Sequence, residues 1–145
     1  MPATLRSLRI PPALERDLER ELARRGQREW SAGLIELLDE AIRMTRVPGI
    51  VFVDARGARR AALAHSGLEV WEVIATWREG GERWDALRAA YPELSDVQLR
   101  AALAYYQLYP AEVDERLARE AAWTPERAAA ELPYTRPPVR AAGRE

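Results

Sequence analysis

The chain has no cysteine. Disulfides and thiolate metal sites are therefore excluded, while the compartment stays open. It also has no lysine and no asparagine, so its 22 basic residues are all arginine. Codons for both missing residues are rich in adenine, and a GC-rich genome accounts for the two absences together. An excess of either charge is missing too, with a formal net charge of -1 and a pI of about 6.0. A nucleic-acid surface must then be a local patch. No apolar run approaches the roughly 18 residues of a membrane span. No signal peptide is visible, and a cytoplasmic protein with no membrane partner is the expectation. What is present is a 48% hydrophobic fraction over 145 residues, enough for a packed core in one domain or two small ones.

Residues 67–110 carry the densest pattern. Val70, Trp71, Ile74 and Trp77 recur at three and four residues and predict one apolar helical stripe. Gly80 and Gly81 end that helix, since glycine accepts the left-handed conformation of a C-terminus. Trp84, Leu87, Arg88 and Tyr91 predict a second short helix stopped before Pro92. Ser95 with Gln98 three residues on is a capping-box pattern, and Leu99, Ala102, Leu103 and Tyr106 predict the core stripe of a third helix. Val97, Ala101, Ala104 and Leu108 then face outward, leaving only Asp96, Arg100 and Gln107 as a polar strip. An apolar outward face is the wrong chemistry for reading base edges. That helix is expected to pack on protein on both sides.

The run from Pro48, Gly49 and Ile50 through Val70–Ile74, Tyr91–Ser95 and Ala101–Tyr106 resembles domain of unknown function 433. The resemblance implies a homeodomain-like helical fold. Some members of that family are VapB-type antitoxins, which neutralise a PIN-domain ribonuclease.

The N-terminal region reads as a separate element. Residues 4–10 predict a short strand with Leu8 and Ile10 on one side and Ser7 and Arg9 on the other. Pro11 and Pro12 start a helix with Leu14, Leu18 and Leu22 on one face, closed at Gly26. Ser31 caps a second helix carrying Leu34, Ile35, Leu38, Ala41 and Ile42. This strand–helix–helix order resembles the ribbon-helix-helix repressors. In that family two chains pair their strands into a ribbon that enters the DNA major groove. The resemblance implies a homodimer bound to operator DNA, with Leu5, Ser7 and Arg9 at the readout positions. An alternative stays open, in which the strand adds to the hairpin further along the chain.

Between the blocks, residues 50–53 and 59–63 predict a β-hairpin turning at residues 54–57. It closes over the core beside Trp71 and Trp77, or serves as a wing. Arg56, Arg59 and Arg60 read as a solvated turn or as a phosphate-contact patch. After Pro110, Val113 and Leu117 mark the apolar edge of a helix, and Thr124 with Pro125 starts another. Residues 133–145 are rich in proline and arginine without periodicity and predict an extended tail. If the chain is a VapB-type antitoxin, Arg136 and Arg140 of that tail can pair with the metal-binding carboxylates of the ribonuclease, with Trp123 and Tyr134 as apolar anchors.

No enzyme signature is present: no nucleophile elbow, Walker loop, dinucleotide fingerprint or HExxH. His65 is the single histidine, and its sequence neighbours Ser66, Asp54, Glu69 and Glu72 have the spacing of no known site. Neither catalysis nor a metal or other cofactor is expected. The fold class expected is mainly α. A ribbon-helix-helix-like segment at residues 1–46 is followed by a hairpin and homeodomain-like helix-turn-helix domain at 47–110, then C-terminal helices and a toxin-binding tail at 111–145. The function expected is an antitoxin and autorepressor. The alternatives are a non-catalytic oligomerisation module and a stand-alone transcriptional regulator.

Overall fold

Helix α1 (Pro12–Arg24) opens on a proline, whose fixed φ suits a first turn, and closes at Gly26 with φ 68°. Both features are local, and both follow the sequence. A computed structural model of the chain describes residues 2–132 and divides it into two compact units between Pro48 and Gly49.

In the first unit α1 lies against α2 (Trp30–Arg46). The sequence puts the α2 cap at Ser31, but Glu29 occupies that position. The Glu29 carbonyl already accepts from the Gly33 N–H at 3.0 Å, which closes the first turn two residues early. Gly33 then sets the approach of the helices, because a Cβ there would stand 2.4 Å from Leu22 Cδ2. Leu18 and Leu22 are buried at this contact.

Arg25 ties the pair together. Its side chain is 7% exposed and pairs with Glu21 at 2.7 Å, Glu36 at 3.2 Å and Glu40 at 3.1 Å. Glu40 is itself buried. A buried guanidinium needs such satisfaction, since removing one partner leaves an uncompensated charge. Residues 2–11 form neither helix nor paired strand within the single chain.

The second unit begins with strands β1 (Ile50–Ala55) and β2 (Ala58–Leu63), paired antiparallel from Ile50↔Leu63 to Ala55↔Ala58. The turn is shorter than the tetrad the sequence suggests. Only Arg56 and Gly57 lie outside the strands, with φ of 50° and 78°. Two successive positive φ values make the hairpin turn whose twist matches the flanking strands.

Helices α3 (Val70–Glu79), α4 (Trp84–Ala90), α5 (Asp96–Leu108), α6 (Pro110–Ala121) and α7 (Pro125–Glu131) follow. The described residues are thus mainly helical, with one small hairpin. The hairpin packs on α5 and α3, so it closes over the core and is no free wing. At α3, the Glu69 N–H donates to Glu72 Oε2 at 2.8 Å, so this carboxylate pair is a helix cap. Ser95 and Gln98 cap α5 reciprocally at 2.9 and 3.2 Å, as the sequence predicts. Thr124 likewise accepts from the Arg127 N–H at 3.2 Å.

The core faces differ from the predicted stripes. On α3 the buried residues are Val70, Val73 and Ile74, while Trp71 and Trp77 are half-buried. On α5 they are Leu99, Ala101, Ala102 and Tyr105, while Leu103 and Tyr106 are half-buried. The reason is enclosure. Helix α5 touches α3, α4, α6 and both strands, so its buried arc is wide and takes in Ala101, placed outward by the sequence reading.

The Arg25 cluster makes stability depend on acid. The Glu21 carboxyl is held at about 2, from an ordinary 4.5, first by its hydrogen bonds from Arg24 and then by those from Arg25. A depressed folded-state pKa contributes stability that is full above 4.5 and lost as pH falls toward 2. Urea midpoints measured across that range should fall for the native chain and fall less for Glu21→Gln.

Candidate functional site

The predicted DNA-contact residues Leu5, Ser7 and Arg9 all lie in the segment before α1, and all three are exposed. Leu8 and Ile10 line an apolar groove of about 330 Å³ with Leu14, Leu18, Leu34 and Leu38 of the same unit. Ser7 and Arg9 do not line it, so the segment keeps the side-to-side alternation read from the sequence. The groove is open: Leu8 is 63% and Leu14 58% exposed. Ile35, Leu38 and Ile42 of α2 are also more than half exposed. A unit this small buries little, and these apolar side chains stay open to solvent.

Two of the three members of the predicted polar strip of α5 are already engaged. Asp96 pairs with Arg88 at 2.9 Å, and the Arg100 guanidinium lies 4.5 Å from the centre of the Trp84 ring. Val97 beside them is 73% exposed. This face offers no array of free donors to a DNA groove.

Of the predicted toxin-contact residues, Trp123 lies in the α6–α7 linker and is 45% exposed. Tyr134, Arg136 and Arg140 lie outside the described residues. Trp123 does not stand alone. It lines a cavity of about 370 Å³ with Arg56 from the hairpin turn, Arg116, Arg119 and Glu120 from α6, and Arg127 from α7. The Arg127 guanidinium sits 5.8 Å from the centre of the Trp123 ring.

Sequence reasoning missed this assembly by grouping Arg56 with Arg59 and Arg60. Those two are held elsewhere: Arg59 pairs with Asp54 at 3.2 Å and bonds the Phe52 carbonyl at 3.1 Å, and Arg60 stands 3.8 Å from Glu69. The available signal was the spacing of Arg116, Arg119, Trp123 and Arg127, which falls on one helical face across the linker.

His65 is exposed, in a tight turn with φ 63°. Ser66 serves that turn, its hydroxyl donating to the Leu63 carbonyl at 3.0 Å and accepting from the Leu68 N–H at 3.1 Å. No group of three or more metal-ligating side chains occurs among the described residues. No helix among them is long and apolar enough to cross a membrane.

Arg56 holds a backbone conformation that glycine adopts at no steric cost. Arg56→Gly should leave the hairpin intact and raise stability by up to about 1 kcal/mol, as relief of a left-handed residue would. A thermal melt of the variant beside the native chain checks this.

Residues 50–106 match the family described as "Protein of unknown function (DUF433)". Comparison with curated proteins gave no match, and comparison with solved structures gave none either.

Proposed function

We propose that the chain is the antitoxin of a type II toxin–antitoxin pair, a cytoplasmic homodimer that neutralises a PIN-domain ribonuclease and represses its own operon. The family match over residues 50–106 supports the antitoxin half of this reading, through the VapB-type members that the family resemblance brings in. The repressor half rests on one observation in the first unit. Leu8 and Ile10 line the apolar groove while Ser7 and Arg9 stay out of it.

A second copy supplies what that unit lacks. Pairing two N-terminal segments into a ribbon satisfies their backbone groups and covers the exposed leucines of the groove. The opposite side of the ribbon then carries Leu5, Ser7 and Arg9, within the width of a major groove. Arg9 is the bidentate guanine reader in this arrangement. The homeodomain-like block contributes protein contacts, and the tail carries Arg136 and Arg140 to the ribonuclease carboxylates.

A specific observation favours a second reading, a helical interaction module without a toxin. Val97 and Leu108 of α5 are 73% and 52% exposed, an outward apolar edge suited to self-association. An oligomer with no affinity for DNA or ribonuclease would establish that reading instead.

Arg9→Ala should abolish binding to the DNA upstream of the chain's own gene, measured by gel shift, and leave ribonuclease binding intact. Normal operator binding by the variant would remove the ribbon assignment. Co-expression with the neighbouring gene, with the tag on this chain alone, should recover a small ribonuclease with an acidic site. Deleting residues 133–145 should weaken neutralisation of that ribonuclease more than it weakens operator binding. Equal neutralisation by the shortened chain would overturn the role of the tail, and recovery of this chain alone would overturn the antitoxin reading.

A further inference from the structure

The pocket beside Trp123 has a chemistry that neither the antitoxin reading nor the family match uses. We propose that Arg56, Arg116, Arg119, Trp123 and Arg127 form a binding site for single-stranded nucleic acid, with the arginines on backbone phosphates and the indole beneath a base. The inference does not rest on the function proposed above, although it gives Trp123 a different ligand from the ribonuclease.

Charge is the first argument. The chain as a whole is nearly neutral, yet this cavity is lined by four arginines against one glutamate. Such local concentration is what an anion site in a balanced chain requires.

The arginines are also available. Arg56 makes no ion pair among the described residues and projects from the hairpin turn in a left-handed conformation. Arg119 with Glu115 and Arg127 with Glu131 are pairs one helical turn apart, with every side chain about half exposed. Exposed pairs of that kind are weak and yield to a better anion. Arg116 is the fixed member. It pairs with Glu120 at 2.5 Å and stacks on Trp71 at 5.0 Å, while its Nε is buried without a hydrogen-bond partner.

Trp123 decides which anion. A purely acidic peptide would satisfy the guanidiniums but add nothing to the indole face beyond the Arg127 guanidinium already 5.8 Å from its centre. A duplex offers phosphates but keeps its bases stacked on one another. An unpaired nucleotide offers both a phosphate and an aromatic face, the combination that single-strand sites use. The cavity, at about 370 Å³, falls in the range that holds a small ligand.

The test uses the full chain and a fluorescent oligothymidylate of about 12 nucleotides, within the span of known single-strand sites. Anisotropy is read across a salt series, with the matched duplex and polyglutamate as competitors. The oligonucleotide should bind and the duplex compete poorly. Arg56→Gly combined with Arg119→Gln should weaken binding at least about tenfold and reduce the salt slope by about 1.4, at about 0.7 per phosphate on a single strand. Trp123→Leu should weaken binding with the slope unchanged. Thermal melts confirm that each variant folds, and all three substitutions fall on solvent-facing side chains.

Absence of oligonucleotide binding at low salt would overturn the proposal, as would binding indifferent to both variants. Loss of binding in Arg9→Ala alone would assign the affinity to the first unit and overturn it too. Polyglutamate capture with the same variant dependence, without oligonucleotide binding, would make the pocket a site for an acidic polypeptide instead.

Discussion

Tyr105 is the side chain on which the second unit turns. It is fully buried on α5, and its ring meets Phe52 of β1 edge-on at 6.4 Å and Tyr109 at 4.9 Å. Its hydroxyl donates to Glu112 of α6 at 2.7 Å. One residue thus holds the hairpin to one side of α5 and the start of α6 to another. The basic cavity depends on that arrangement, since Arg56 comes from the tip of the hairpin and Arg116 and Arg119 from α6. A phenol suits this position because its body is apolar and its single polar atom reaches the carboxylate at the edge of the core. Tyr106, one residue on, faces the other way and bonds Asp114 and Arg78 near the surface. The Arg78 hydrogen bond to the Tyr106 hydroxyl, and next that to the Asp114 carboxylate, hold the guanidinium's pKa above its ordinary value.

The Tyr105–Tyr106 pair also marks how far the sequence could be read. Capping was legible: Ser95 lies three residues before Gln98 and Thr124 directly before Pro125, and both caps form. The breaks at Gly26 and at Gly80 and Gly81 were legible as well. Which tyrosine points inward was not. A helix stripe assigned from periodicity assumes one buried side, but α5 is covered by three helices and a hairpin. The Arg25 cluster was equally hidden, because Glu36 and Glu40 come within reach only when α2 folds back along α1. Among candidate site residues, Trp123, 45% exposed at the cavity, was singled out from the sequence. The arginines around it were not, because Arg56 is far from them in sequence and looked like a partner of Arg59 and Arg60.

The first unit shows the opposite balance between apolar and ionic contacts. Its large apolar residues are mostly exposed, and the buried contact between its helices reduces to Leu18, Leu22 and the close approach at Gly33. A charged cluster then holds the helices where a larger unit would use leucine. Such a cluster specifies the pairing geometry more than it stabilises it, because desolvating an arginine and its carboxylates consumes most of their attraction. Fully burying one leucine or isoleucine contributes about 1.5–3 kcal/mol. Covering Leu8, Leu14, Ile35, Leu38 and Ile42 by a second copy, as the proposed dimer requires, would outweigh anything the ionic cluster supplies and would make the unit's stability depend on chain concentration.

Arginine as the sole basic residue sharpens the contrast between the two units. On an exposed helix, arginine beside glutamate one turn away is close to neutral in effect, as in the pairs of Arg119 with Glu115 and Arg127 with Glu131. The net charge of -1 follows from near-equal numbers, 22 arginines against 23 aspartates and glutamates, and many of these groups also pair locally. What distinguishes a site is then where the local pairing pattern fails. It is exceeded at Arg25, which is buried and reaches Glu36 and Glu40 beyond Glu21 one turn away, and the result is structural. It fails at Arg56, which stands on a two-residue turn with no carboxylate one helical turn away and faces three more arginines and an indole. A planar, always-charged fork with no ion pair among the described residues suits a ligand that brings an anion and an aromatic face together.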